Sequence, residues 1–312
     1  MALSYAQLSA IAVNVIEKKL YDNVYNSNPV LKRLKDKSKK IDGGLQIQVP
    51  LISSTSTSGG WYTDLDTLTV TRTDNITASV FNWKQIYEAV RISRLDLAKT
   101  SGDAGKLDLI ESKIKVAESS ISDRMGSGLF ADGTGSSGNE MTGFQALISS
   151  SSTYGGIAVA DMATWAAQVV NNSATVRPVT LGLIQQVDGK CTQGKDTPSL
   201  MVAKQNVFDE VYNLFTAYQR IESEDIGKLG FKSLMVNGKP FVVDSHMKAA
   251  SIFFINEDYA QLAVHKDNDM RKEHHQSLET TDSMLSKIFW MGNLTCSNRR
   301  FHGELGDIKT AY

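Results

Sequence analysis

The chain has 312 residues, 41% of them hydrophobic, and 33 basic against 34 acidic residues leave a formal net charge of -1. That apolar content suffices for one large or two ordinary domains and excludes a disordered chain. The balanced charge argues against a protein that grips nucleic acid along its whole surface. Cys191 and Cys296, far apart in sequence, give no disulfide framework and fit a reducing compartment, where they read as buried inert thiols. No apolar run approaches the ~18 residues of a membrane span, and nothing at the N-terminus reads as a signal peptide, so the expected place of synthesis is the cytosol.

Residues 1–25 place Leu8, Ile11, Ala12, Val15, Ile16 and Leu20 at helical spacing, which predicts an amphipathic arm. Asn28-Pro29 opens a second short helix, with Asn28 as its cap and Pro29 at the first helical position. Lys32, Arg33, Lys35, Lys37, Lys39 and Lys40 crowd this region. Such a run attracts an acidic partner, nucleic acid or protein, and also suits a solvated charged face.

Residues 41–93 read as one long β-hairpin. Leu45, Ile47, Val49 and Leu51 alternate with polar residues or proline, residues 53–60 form a Ser/Thr tip ending in Gly59-Gly60, and residues 68–93 return in strand composition without Gly or Pro. Limbs of about 20 residues paired end to end would reach on the order of 60 Å. A compact chain of this length has a radius of gyration of roughly 20 Å. An isolated ribbon is marginal in water, so this one predicts an assembly with neighbouring copies. Trp61, Tyr62 and Asp64 near the tip, with Arg72 and Asp74 on the return limb, are the candidate contacts, because aromatic and arginine side chains anchor interfaces. The alternative is that Trp61 folds back onto its own domain.

Residues 103–130 carry Leu107, Ile110, Ile114, Ala117, Ile121, Met125 and Leu129 at spacings of three and four, predicting a helix of about 40 Å. A glycine-rich loop follows at 132–143. After an exposed stretch around 149–156 come expected helices at 161–171, 180–191 and 205–220 and a buried strand at 200–203. Strands at 233–236 and 241–243, joined by Asn237-Gly238, and at 251–255 and 259–264 complete one mixed sheet. Residues 266–278 are polar. Residues 284–300 read as strand that returns to cover the long helix, and 301–312 have no strong pattern.

Gly133 to Gly138 matches a dinucleotide fingerprint in letters but follows a helix, where that motif must follow a strand. Gly189 to Lys195 is spaced like a phosphate loop, yet Asp196 stands where Ser or Thr should hold magnesium, so a helix end and turn is expected. Glu273-His274-His275 lacks a second ligand pair at zinc spacing, and the carboxylates Glu222, Glu224 and Asp225 fall in a polar loop. With no hydrolase motif either, the reading is a non-enzyme without metal or cofactor.

The order of elements is a basic arm with Asn28-Pro29-Val30-Leu31, Gly43-Gly44 leading into a long hairpin, then a long amphipathic helix. Leu129-Phe130-Ala131-Asp132-Gly133-Thr134-Gly135 and a closing Gly143 come next. It resembles the major capsid proteins of tailed bacteriophages, which have the α+β Hong Kong 97-type fold. The resemblance implies an N-terminal arm (1–40), an extended loop (41–93), a peripheral domain (94–143 and 266–300) with a spine helix at 103–130, an axial domain (144–265) and a C-terminal tail (301–312). It implies hexamers and pentamers forming an icosahedral shell around double-stranded DNA, assembled in the host cytoplasm. The implied partners are a portal, a separate scaffolding protein and decoration proteins, with no membrane, and the basic arm would face inward. Lys84 is the only lysine between 45 and 93 and lies far from the tip, so the lysine crosslink of some relatives is not expected here. An encapsulin shell and a soluble α+β enzyme using the Gly133 or Gly189 loop are the rival readings.

Overall fold

The computed structural model describes residues 28–56, 58–68, 74–100, 102–215, 233–273, 276–277 and 282–310. The expected helix at 1–25, the end of the helix expected at 205–220, Arg72, the 222–225 carboxylates, His274 and His275 lie outside them. The first half runs α1 Pro29–Asp36, β1 Lys39–Ile41, β2 Ile47–Ile52, β3 Ile76–Phe81, β4 Lys84–Ser93, α2 Arg94–Lys99 and α3 Gly102–Leu129. Pro29 sits in the first turn of α1, whose Val30, Leu31 and Leu34 are buried. Asn28 makes no side-chain cap. Its Nδ2 donates instead to the Ser122 carbonyl of α3 at 3.1 Å, an approach that Gly126 permits because a Cβ there would overlap the Asn28 amide. On α3, Ala117, Ile121, Met125 and Leu129 of the predicted stripe are buried and Ile110 and Ile114 pack partly buried against the same core, while Leu109, which the stripe did not include, is buried as well.

The second half runs α4 Phe144–Leu147, β5 Gln168–Val170, α5 Leu181–Cys191, β6 Leu200–Ala203, α6 Gln205–Leu214, β7 Ser233–Val236, β8 Lys239–Val243, β9 Ile252–Ile255, β10 Ala260–His265, β11 Arg271–Lys272, β12 Gln276–Ser277, β13 Ser283–Cys296 and β14 Gly303–Leu305. Asn237 and Gly238, with φ of 52° and 73°, make the β7–β8 turn. One sheet is built on β13, which pairs with β4 from Ser283↔Ser93 to Gly292↔Lys84 and with β10 from Val264↔Gly292 to Ala260↔Cys296. Gly292 is paired with both neighbours at once, Lys84 of β4 and Val264 of β10, and a Cβ there would strike the Ala263 carbonyl and the Trp290 ring. β4 and β13 pack on α3, as expected for a helix needing a sheet. The other sheet has the order β5-β14-β9-β6-β8-β7. Its central strands are buried on both faces: Leu200, Val202, Phe253 and Ile255 join the core of α3, while Met201, Ala203, Ile252 and Phe254 join a second core with α5 and α6.

Four expectations change. The hairpin pairs over six residues a side, from Ile47↔Phe81 to Ile52↔Ile76, about 20 Å rather than 60. The return limb breaks at Asn82-Trp83 because Val90 and Ile92 of β4 belong to the α3 core. Residues 161–171 form a 3-10 turn, Ala163–Trp165, and then β5, because the chain's far end supplies β14 as a parallel partner. β10 joins the β13 sheet rather than the one containing β9. The tail is not patternless: β14 sits between β5 and β9, its Glu304 buried against Lys248 at 2.8 Å and Ser251 at 2.9 Å.

Both glycine loops are turns at helix ends. The 133–138 loop follows α3, with Ser136 and Ser137 at φ of 50° and 57°, and Gly194 turns the chain after α5 at φ of 63°. Cys191 and Cys296 are buried, and burial pushes both thiols up to about 12. Among the described residues no helix is long and apolar enough to cross a membrane.

Candidate assembly surface

The β2–β3 ribbon has two unlike faces because successive side chains alternate. Inward, Ile47, Leu51 and Phe81 are buried, and Phe81 meets Tyr154 edge-on at 5.2 Å. The Val80 N–H donates to the Gly155 carbonyl at 2.8 Å, and Gly155, at φ of 59°, leaves room for Ser79 and Phe81. Outward, Ile52 and Ile76 face each other across the pair and are both 78% exposed. The root is pinned by Trp83 Nε1 on the Gly44 carbonyl at 2.9 Å, Asn293 Nδ2 on the Asn82 carbonyl at 2.9 Å and Lys84 Nζ on the Gly138 carbonyl.

Beyond the paired strands, the Ser53 N–H donates to the Asn75 carbonyl at 2.9 Å, and the Thr63 N–H donates to Asp66 Oδ2 at 2.7 Å, tying a turn at the tip. There Trp61 is fully exposed, Leu65 is 96% exposed, and Tyr62 and Leu68 are mostly exposed. Asp64 and Asp74 are exposed as well. The structure thus gathers Trp61, Tyr62 and Asp64 on one tip, places Asp74 nearer the ribbon, and does not fold Trp61 onto its own domain.

The basic run divides. Arg33 makes a two-pronged contact to Glu257, at 2.6 and 2.7 Å, and Lys37 stands 3.6 Å from the same carboxylate and 3.8 Å from Asp258. Burial alone would raise the Glu257 carboxyl. The Arg33 guanidinium, then Lys37 and the Ser199 hydroxyl, outweigh it and hold the group below the usual carboxylate range. These two cations therefore fasten α1 to the β9–β10 turn. Lys40 pairs with Asp269 at 3.6 Å on the surface, while Lys32, Lys35 and Lys39 make no ion pair among the described residues. His246 Nε2 lies 3.0 Å from Asp123 of α3, and no trio of His, Cys, Asp or Glu among the described residues is placed to hold a metal.

Two features went unread in the sequence. One is a cavity of about 430 Å³ between the start of β4, the last turns of α3, residues 136–141 and Trp290 of β13. The other is Arg299, fully buried with no carboxylate beside it among the described residues. It donates to the carbonyls of Leu147 (2.8 Å), Ser152 (2.9 Å), Ser149 (2.9 Å) and Ala146 (3.3 Å), and its guanidinium lies 5.3 Å from the Tyr154 ring centre. Arg299 closes the 284–300 stretch read as strand, and a basic residue there reads as exposed, because charged side chains are seldom fully buried.

A family model for the SU10 major capsid protein matches residues 52–309. Among solved structures, the chain is similar to the cyanophage A-1(L) capsid asymmetric unit at 15% identity and TM-score 0.75, over 98% of this chain and 99% of that one. It is similar to the capsid of the native GTA particle at 10% identity and TM-score 0.66, over 95% and 96%. The holo-SrpI encapsulin complex from Synechococcus elongatus follows at 9% identity and TM-score 0.64, over 100% and 98%. No curated protein matches the chain by sequence.

Proposed function

Because the chain belongs to the SU10 major capsid protein family, we propose that it assembles through hexamers and pentamers into an icosahedral shell enclosing double-stranded DNA, with the β2–β3 arm as a principal contact between neighbours. It is a shell-forming major capsid protein with the α+β Hong Kong 97-type fold. The observation that carries the arm's role is its tip: a fully exposed tryptophan, with Tyr62, Leu65 and Leu68 beside it, has no cover among the described residues. Large apolar side chains exposed together on one short segment mark a protein–protein contact. Interfaces of about 800 Å² per partner, repeated around a ring, hold by avidity while letting a misplaced subunit leave.

Trp61, Tyr62, Asp64, Arg72 and Asp74 are the proposed contacts. The β13 sheet with α3 corresponds to the peripheral domain and the β5–β9 sheet to the axial domain. Lys32, Lys35 and Lys39 face the packaged DNA, while Arg33 and Lys37 serve the fold through Glu257. Portal, scaffolding and decoration proteins are the partners that the family implies. Deleting residues 53–60 leaves a soluble subunit that fails to form shells; normal particles from that deletion refute the arm's role. The likeness to an encapsulin supports a second reading, a compartment for protein cargo. Nucleic acid inside purified particles supports the capsid reading; protein cargo without nucleic acid supports the other.

A further inference from the structure

The cavity beside β4 is lined by Lys84 and Tyr87 of β4, Arg124, Met125 and Ser127 of α3, Glu140 and Trp290, among others. At about 430 Å³ it falls within the range of pockets that enclose a bulky side chain or small ligand, roughly 300–1,000 Å³. Two of its groups are incompletely used. Trp290 is 3% exposed, and its indole N–H is buried without an acceptor among the described residues, a state that buried polar groups rarely keep. Lys84 donates to the Gly138 carbonyl but pairs with no carboxylate among the described residues, whereas Arg124 is matched by Glu88 at 2.8 Å. The tip of the arm offers an aromatic side chain to fill the space and a carboxylate for Lys84, which Glu140 of the lining does not pair with. It presents a fully exposed indole and the exposed Asp64, and from residue 45 to residue 71 the chain has no Lys, Arg or His. The exposure of Trp61 shows that the tip does not occupy its own chain's cavity.

We propose that this cavity is the seat for the arm tip of a second copy, resting on the reading of the arm as an intersubunit contact. The Trp61 indole enters between α3 and β4, an aromatic burial of about 150–250 Å². Asp64 lies against Lys84, and the incoming chain supplies an acceptor to the Trp290 N–H. The seat thereby fixes which face of a neighbour the arm grips, so the arm's register in a ring is set by one pocket rather than by apolar contact alone.

The test places a photo-crosslinking amino acid, benzoylphenylalanine, at the exposed Ser127 and assembles shells from mixed isotope-labelled and unlabelled subunits. After illumination, residue 127 is expected to join the tryptic peptide 41–72 of a different copy, seen as mixed-isotope pairs, with Trp61→Ala lowering the yield about tenfold. Adducts to any other segment, or only within one copy, overturn the proposal. A probe at the exposed Gln85 on the opposite wall gives the same readout if the 127 variant does not assemble. Should deletion of residues 53–60 abolish shells while the probe links elsewhere, the seat falls and the arm's role stands. Should that deletion form normal shells, the arm's role itself falls.

Discussion

Replacing Arg299 with Met removes a buried cation held almost entirely by backbone carbonyls. Three of its bonds are short, to Leu147 at 2.8 Å and to Ser149 and Ser152 at 2.9 Å. Hydrogen bonds to a charged group contribute about 1.5–3 kcal/mol each, so the gross loss is about 5–9 kcal/mol. Two of the carbonyls keep another donor: the Leu147 carbonyl accepts from the Ser149 N–H at 3.1 Å, and the Ser149 carbonyl from the Ala167 N–H at 3.2 Å. Ser152 is left without that partner. Methionine also no longer carries the desolvation cost of a guanidinium, several kcal/mol. The net expectation is a loss of about 3–5 kcal/mol, a large share of a typical domain's 5–15 kcal/mol. Arg299→Lys keeps the charge but cannot span three acceptors on a planar fork, and should lose about 2 kcal/mol. Urea unfolding of the unassembled subunit measures both. A methionine variant within about 1 kcal/mol of the parent would refute the view that this guanidinium holds residues 146–152 in place.

His302 is fully buried, and burial, then the nearby Arg299, push it down to about 3, while its Nδ1 accepts from the Asn256 N–H at 3.2 Å. The unfolded state takes up a proton near pH 6.5 that the folded state refuses, so stability declines as pH falls between about 6.5 and 3, by ~1.4 kcal/mol per pH unit. His302→Gln should flatten that slope in unfolding measured at pH 7.5, 6 and 5. Arg33→Ala should cost about 2–3 kcal/mol at pH 7, since Lys37 and Ser199 still meet the buried Glu257. The carboxyl is held low in the fold, so the pair's contribution is present above pH ~4.3 and lost as pH falls through the lowered folded value. The penalty of the variant should therefore hold from pH 7 down to about pH 4.3 and shrink only below it, and a penalty that stays constant through that acid range would refute the pairing. Trp61→Ala should leave unfolding unchanged and raise the critical concentration for shell assembly about 30-fold, equivalent to ~2 kcal/mol per contact, as light scattering reports. An unchanged threshold would refute the tip as an anchor.

Local periodicity was enough for α3, α5, β6 and the β7–β8 hairpin, because each has neighbours in sequence that write its pattern: a stripe at three and four, a short apolar run, an Asn-Gly turn. The polar tip was legible in the same way, from a Ser/Thr run closed by two glycines, but whether Trp61 stays exposed or folds back was not. Where a strand ends up was not. Residues 76–93 have one continuous strand composition, yet the chain divides them between β2, near in sequence, and β13, some two hundred residues away. β5 and β14 are each three residues long and take their strand character from one another and from β9. Likewise Lys32 and Arg33 are adjacent basic residues with opposite fates, decided by a glutamate in the β9–β10 turn that no spacing rule connects to α1. Side-chain period is written in the sequence because it is a property of one segment; pairing, burial of a charge and the shape of a cavity are properties of two or more segments, and exist only once the backbone has brought them together.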